Sequence, residues 1–257
     1  MLPNTRRLGL LGALAICALL LPASAAQAEF VGSAISVQIW SGGGGTGSYE
    51  FNLPIPTDPW AWELDGPVSI YGGSGGNHLL ATIDSLSVAL DGDPAVTLNF
   101  AVTAGASATF ISVTSSTVVF APIENAEAFA TAALSLTDGN GNGATANGVF
   151  PGNKAYQARF NGGTVFADLI SPVAAGPGSS SLGTERVPLT GTDVIPGFIT
   201  SIQSQFSFVL SARDSASGTS RFQVDIPPPI VPEPSSWVLA SLAVLGWVWL
   251  GRRRIRR

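Results

Sequence analysis

Residues 138–143, D-G-N-G-N-G, offer the side chains best suited to a calcium ion. Asp138, Asn140 and Asn142 alternate with glycines as in the first half of a calcium loop, D-x-N-x-N-G. The twelfth position of such a loop carries a bidentate glutamate and is Val149 here. A hairpin turn rich in Asn and Gly accounts for the same residues without an ion. We therefore expect weak calcium binding at most and no required cofactor.

Trp60 and Trp62 lie two residues apart in the densest aromatic and acidic cluster of the chain, residues 58–65. In an extended segment, residues at this spacing project from the same face. If both rings are exposed they form a stacking platform for sugars, and if both are buried they anchor the core, which is the commoner role of large aromatic side chains. They are our candidates for sugar stacking.

Two glycine-rich segments match enzyme motifs in sequence but lack the structural context that these motifs require. Gly42, Gly44 and Gly47 fit G-x-G-x-x-G, but a strand-like stretch follows where dinucleotide binding requires a helix. Residues 72–76 fit G-x-S-x-G beside the only histidine, His78, without the strand-to-helix turn of a nucleophile elbow. We predict glycine loops at both places, no catalytic residue and a non-enzymatic protein.

Short β-strands are predicted to position these residues. Apolar residues alternate with polar ones through Val96, Leu98, Phe100 and Val102, which follow a similar run and a D-G-D-P turn at residues 91–94. Comparable runs occur at residues 34–40, 108–120, 129–136, 156–160, 165–170, 206–210 and 222–226. Short strands joined by Gly, Ser, Thr and Asn predict an all-β fold, an antiparallel β-sandwich of jelly-roll type.

The region between residues 29 and 230 is acidic and lacks cysteine. It holds five basic residues against sixteen acidic ones, a net charge of −11. This balance disfavours nucleic acid as a partner, because phosphate binding requires clustered Lys and Arg. The single cysteine, Cys17, precedes this region, so the domain must be held together by burial without disulfides.

The N-terminus has the features of a secretory signal peptide. Two arginines at positions 6 and 7 precede an apolar run at residues 8–21. Ala26 and Ala28 then form a small-x-small cleavage site before Glu29. We predict that residues 1–28 are removed during export.

Three blocks follow one another at the C-terminus. The first is the motif formed by Val231, Pro232, Glu233 and Pro234. An apolar run at residues 237–250 follows, and a helix over residues 235–251 would extend about 25 Å, just under the usual hydrocarbon thickness of about 30 Å. We predict a single transmembrane helix that spans with local thinning of the membrane or inserts marginally. The last block is the arginine cluster Arg252, Arg253, Arg254, Arg256 and Arg257. These arginines stop transfer across the membrane and leave the preceding domain outside.

Together the three blocks resemble the PEP-CTERM protein-sorting tail, the signal of the exosortase system of Gram-negative bacteria. The resemblance covers residues 231–257 and implies that a membrane-embedded, exosortase-like enzyme recognises Pro232, Glu233 and Pro234 and removes the tail. It further implies export in bacteria that make extracellular polysaccharide. The protein would be anchored in the inner membrane before processing and reside at the cell surface or outside the cell afterwards.

The sequence therefore predicts four segments: a signal peptide (1–28), a β-sandwich ectodomain (29–226), a Pro-rich spacer (227–230) and a sorting tail (231–257). We expect an exported envelope or extracellular-matrix protein with a non-enzymatic structural or adhesive role linked to extracellular polysaccharide. The alternative is a carbohydrate-binding module that uses Trp60 and Trp62, or a β-sandwich glycosidase built on two carboxylates.

Overall fold

The computed structural model describes residues 29–42, 45–51, 59–73 and 75–227 of the 257-residue chain. Its strands are β1 (Glu29–Ser41), β2 (Gly45–Phe51), β3 (Trp60–Glu63), β4 (Val68–Gly72), β5 (His78–Asp91), β6 (Ala95–Ala104), β7 (Thr109–Glu124), β8 (Glu127–Thr137), β9 (Ala144–Gly148), β10 (Tyr156–Phe160), β11 (Thr164–Leu169), β12 (Val173–Ala175), β13 (Ser180–Val187), β14 (Asp193–Val194), β15 (Phe198–Leu210) and β16 (Ser215–Asp225). A 3₁₀ turn spans Pro151–Asn153. The described residues contain no α-helix, and the all-β prediction is confirmed.

The strands form two eight-stranded antiparallel sheets. Sheet A has the order β11-β10-β15-β7-β1-β2, with β9 joining β15 to β12. Sheet B has the order β13-β8-β16-β6-β5-β3, with β4 paired to β5 and β14 paired to β8. Two antiparallel sheets that share one hydrophobic core are consistent with a β-sandwich. The jelly-roll arrangement stays a prediction.

Aromatic rings from both sheets meet in the core. The Phe100 ring of sheet B lies 5.0 Å from the ring of Phe206 and 6.0 Å from that of Phe208, both in sheet A. At another point Phe166 of sheet A stacks on Phe222 of sheet B, with 5.3 Å between ring centroids. The inner faces of the two sheets therefore pack directly against each other.

The predicted hairpin at residues 91–94 is confirmed. β5 and β6 pair from Asp91 opposite Ala95 outward, and the turn lies between them. The four alternating residues Val96, Leu98, Phe100 and Val102 are between 0% and 3% exposed. Period-2 alternation identified this buried face because successive strand residues point to opposite sides of a sheet.

Two connections differ from the sequence expectation. Residues 138–143 do not form a hairpin, because β8 pairs with β13 and β16 in sheet B whereas β9 pairs with β12 and β15 in sheet A. The segment is a crossover between the sheets. The glycine- and serine-rich composition of residues 176–183 predicts a flexible loop, but these residues run into β13, which pairs with β8.

Several predicted segments lie outside the described residues: the signal peptide, the sorting tail and all of the spacer except Pro227. In the part of the chain that the structure describes, no helix is long and apolar enough to cross a membrane. The boundaries of the four predicted segments therefore stay predictions.

Candidate ligand-binding face

Strand β1 presents different residues to the two sides of sheet A. Ile35, Val37 and Ile39 point into the core and are at most 1% exposed. On the opposite side Gln38 is exposed, and Trp40 retains 47% of its accessible surface. A tryptophan therefore occupies the solvent-facing register of a strand whose buried register is filled by aliphatic side chains.

The Trp40 ring stacks on Phe110 of the neighbouring strand β7. Their centroids are 5.6 Å apart, and the ring planes are inclined by 28°. Phe110 is paired in turn with Val209 of β15, and both of these side chains are half-buried. Three adjacent strands thus place an aromatic pair and an aliphatic side chain side by side on the outer surface.

Exposed polar residues extend this line at both ends. On β2, Thr46 pairs with Trp40, and on β9, Asn147 pairs with Val209. We refer to the line Thr46, Trp40, Phe110, Val209 and Asn147 as the apolar row. It runs across the strands, has a hydroxyl and an amide at its ends, and contains no ionisable side chain.

Amide and hydroxyl side chains occupy the positions next to the apolar row. Gln38 is opposite Ser112, which in turn is opposite Ser207. Gln205 donates a hydrogen bond from Nε2 to Ser112 Oγ at 2.9 Å and accepts one from the Arg159 guanidinium. These bonds fix the Gln205 amide in one orientation before any ligand arrives.

Two acids lie at the margins of this face. Glu50 on β2 and Asp168 on β11 end a line that runs through Ser36, Thr114, Gln205 and Gln157. Five steps between neighbouring strands, each of about 4.8 Å, separate the two acids by about 24 Å.

Arg159 lies beside this line, with its guanidinium 5.9 Å from the centre of the Phe150 ring. Burial lowers the pKa of the Arg159 guanidinium, and the charge of Asp168 offsets part of that change. The Gln157 amide holds Asp168 Oδ1 through a 2.8 Å hydrogen bond. Arg159 is thus engaged by the protein's own side chains.

The predicted stacking residues Trp60 and Trp62 lie elsewhere, on β3 at the edge of sheet B. Both point to the same side of the strand, while Ala61 and Glu63 point outward and are exposed. Both tryptophans are partly buried and pack against the core. This geometry favours the anchoring interpretation for them.

The predicted calcium candidates form a compact loop around Asp138. Its Oδ1 accepts hydrogen bonds from the backbone N–H groups of Asn140 and Gly141, and its Oδ2 accepts those of Gly143 and Gly178. The Gly178 N–H is the largest influence, desolvation opposes it, and the other three N–H groups assist it. Together they lower the pKa of Asp138 from 3.8 to about 2.

A second carboxylate, Asp214, supports the same crossover. Its Oδ1 accepts the Gly139 N–H at 3.1 Å, and its Oδ2 accepts the Ser211 hydroxyl. The Asn140 amide donates to the Ala212 carbonyl at 2.6 Å. The carboxylates of both Asp138 and Asp214 thus already accept hydrogen bonds from the protein. Among the described residues, no three His, Cys, Asp or Glu side chains meet as a metal site would require.

A charged cluster lies where β11 and β13 form the edges of the two sheets. Lys154 Nζ is 2.7 Å from Glu185 Oε2 and 2.9 Å from Ser171 Oγ. Ser171 donates its N–H and its hydroxyl to Glu185 Oε1. Desolvation opposes the charged form of Glu185, but these hydrogen bonds outweigh it and lower its pKa to about 2. The cluster ties the two sheets together.

Sequence reasoning missed Trp40, although the sequence contained the signal. The run I-S-V-Q-I-W at residues 35–40 alternates apolar and polar residues until its last member, which falls in the polar register. A large aromatic residue in that register is predicted to be exposed once the strand is recognised. The sequence could not predict that Phe110 is the partner of Trp40, because strand pairing is set by long-range contacts.

Comparison with solved structures finds low similarity to two structures from infectious bursal disease virus. The Gx strain structure is 14% identical, with a TM-score of 0.28, and the match covers 80% of this chain and 59% of that one. The Gt strain structure is 13% identical, with a TM-score of 0.21, and the match covers 90% and 75%. The chain therefore spans about three-fifths of the Gx protein. No curated protein matches the chain.

Comparison with protein families gives a match at the C-terminus. The PEP-CTERM protein-sorting motif matches residues 231–254, which contain the V-P-E-P sequence, the apolar run and the first arginines. This motif implies an exported protein that an exosortase-type enzyme processes, with membrane anchoring before it reaches the cell surface. The chain thus carries the PEP-CTERM protein-sorting motif, as its last three sequence blocks predict.

Proposed function

We propose that this protein is a non-enzymatic adhesive component of the extracellular polysaccharide matrix. The observation that supports this proposal most directly is on the outer face of sheet A, where the exposed Trp40 ring stacks on Phe110 among uncharged amide and hydroxyl side chains. Aromatic rings beside hydrogen-bonding side chains suit sugar rings, whose faces are apolar and whose edges carry hydroxyl groups. The sorting motif supports this role, because it brings the domain to the surface where such polymers accumulate.

Adhesion is favoured over glycoside hydrolysis by the position of the acids on this face. A glycosidase requires two carboxylates about 5 to 10 Å apart. Glu50 and Asp168 end the same line of residues with four neutral side chains between them, at a separation of about 24 Å. A polymer laid on this face would be held without being cut.

The adhesive role is tested with the matrix of the host bacterium. We expect the exported wild-type protein to sediment with washed matrix and to be released when the polysaccharide is digested. Trp40→Ala should move most of the protein into the wash. Tyr71→Ala provides a matched control, because Tyr71 is 53% exposed but belongs to sheet B. Equal retention of the wild type and Trp40→Ala would contradict the proposal.

Sorting is tested separately through the motif. Glu233→Ala should leave the protein in the inner membrane with its arginines still attached, whereas Glu63→Ala, a change of an exposed acid in β3, should be processed normally. Mass spectrometry of the exported protein should place its N-terminus at Glu29 and its C-terminus near the V-P-E-P sequence. Normal processing of Glu233→Ala would show that the motif is not what the enzyme recognises.

A further inference from the structure

We infer that the ligand of this face is an uncharged polysaccharide that lies across the strands, along the apolar row. The inference rests on the proposed adhesive function and adds the chemical class of the ligand and its direction on the sheet. Its support comes from the charges of the face, the direction of the row and the orientation of the adjoining amides.

Charge selects against acidic polymers. None of the five members of the apolar row is ionisable, and neither Gln38 nor Ser112 beside it carries a charge. The second line from the row ends in two acids, Glu50 and Asp168, and Arg159 beside that line is hydrogen-bonded to Gln205. The domain around the face has a net charge of −11. A carboxylated or sulfated polymer would be repelled at long range and would find no cluster of cations on arrival.

The direction of the row sets the direction of the polymer. Trp40, Phe110 and Val209 are register partners on three adjacent strands, so the line through them is perpendicular to the strands. With Thr46 and Asn147 the row crosses five strands and extends about 19 Å at a strand spacing of about 4.8 Å. A row of this length accommodates several consecutive sugar rings.

The amide side chains near the row are placed to form hydrogen bonds with a ligand that lies on it. Gln38 lies two residues before Trp40 on β1, a displacement of about 7 Å along the strand. Its side chain is exposed, and that of Gln205 is held by Arg159 and Ser112. A ring resting on Trp40 and Phe110 would therefore direct one hydroxyl edge towards Gln38 and towards the Gln205 amide, whose fixed orientation reduces the entropy lost on binding.

The test uses the host's own matrix polysaccharide, separated by anion exchange into a neutral and an acidic fraction. Binding of the processed, exported protein is measured by affinity electrophoresis in native gels that contain each fraction. We expect retention by the neutral fraction, little change between low and high salt, and binding at least about tenfold weaker in Trp40→Ala. Trp40→Phe should retain most of the binding, and Tyr71→Ala all of it.

The direction of the polymer is tested at the far end of the row. Asn147→Ala should weaken binding of the neutral fraction, because Asn147 ends the row three strands away from Trp40. Thr145→Ala is the matched control, since Thr145 is also exposed on β9 but lies two residues away from the row. An unchanged affinity in Asn147→Ala would overturn the direction.

The outcomes separate the two proposals. Retention by the acidic fraction alone, lost at high salt, would overturn the uncharged class while adhesion through Trp40 still stood. The uncharged class would also be overturned, and adhesion would still stand, if sedimentation with whole matrix depended on Trp40 but the neutral fraction did not retain the protein. Failure to sediment with the matrix at all would overturn the proposed function itself.

Discussion

The ring of Phe100 in β6 lies directly over the backbone of Gly218, its register partner in β16. A Cβ atom added to Gly218 would collide with two atoms of that ring and crowd a third at 3.2 Å. The same ring contacts Phe206 and Phe208 of the opposite sheet, so it cannot move away from the glycine without disturbing the centre of the core. The absence of a side chain at one position thus determines how both sheets pack.

This contact gives the first prediction. Phe100→Ala should lower the free energy of unfolding by about 3 to 5 kcal/mol, because it removes buried apolar surface and leaves a cavity. Gly218→Ala should lower it by about 1 to 3 kcal/mol through overpacking. Gly163→Ala is the control, since a Cβ there meets no atom within 4 Å. Urea unfolding measures all three variants, and a neutral Gly218→Ala would show that the ring has room to shift.

The second prediction concerns the pH dependence conferred by Asp138. Its folded pKa of about 2 lies below the ordinary 3.8, so its contribution to stability is complete above pH 4 and is lost as the pH falls towards 2. Asp138→Asn should lower the thermal midpoint clearly at pH 6, because one side-chain oxygen that accepts N–H groups is replaced by a donor.

The difference between the wild type and Asp138→Asn should shrink steadily between pH 4 and pH 2. Asp65→Asn, at an exposed position, should change little at either pH. Calorimetric scans at several pH values provide the measurement. A difference that stays constant over this range would mean that the charge of Asp138 does not contribute.

The third prediction is that calcium at micromolar concentration leaves the thermal midpoint unchanged. Both carboxylate oxygens of Asp138 already accept backbone N–H groups, and Val149 provides no bidentate ligand. A ligand at one hundred times its dissociation constant stabilises the folded state by about 2.7 kcal/mol, which raises the midpoint by several degrees. A rise of that size, absent in Asn142→Ala, would show that the crossover binds calcium.

The fourth prediction concerns the cluster of Lys154, Ser171 and Glu185. The pKa of Glu185, about 2, lies below the ordinary 4.5, so its contribution is present above pH 4.5 and decreases as the pH falls towards 2. Because the pair is partly exposed, Glu185→Gln should cost only ~1 kcal/mol at pH 7 and less at pH 3. Urea unfolding at both pH values, with Glu63→Gln as the control, tests this.

The sequence predicted which segments form strands better than it predicted how those strands pair. The alternation in Val96, Leu98, Phe100 and Val102 reports burial on one face, which is a local property. The crossover at residues 138–143 was predicted to be a hairpin because its turn chemistry fits one. Which sheet each flanking strand joins depends on pairing with residues far away in the chain.

Strand β13 was missed for a related reason. Its sequence, S-S-L-G-T-E-R-V, shows no apolar alternation, and at the edge of sheet B it is held mainly by backbone pairing with β8. Similarly, the outer face of sheet A required the register between β1 and β7 before Trp40 and Phe110 came together. Trp60 and Trp62 were correctly predicted to share a face of their strand, which packs against the core.

The position of β1 has a consequence for the order of events during export. Strand β1 lies between β7 and β2 within sheet A. The carbonyl of Val31 accepts a hydrogen bond from the hydroxyl of Ser116, 85 residues further along the chain. Local pairing occurs in both sheets: β1 and β2 pair with Ser41 opposite Gly45, and in the β5–β6 hairpin Ser87 and Asn99 are only 12 residues apart. Local pairing closes short loops and is fast, whereas distant pairing is slow. The strand β1 can therefore pair early with β2, but its other edge stays unpaired until β7 has followed it, and only then does Trp40 meet Phe110.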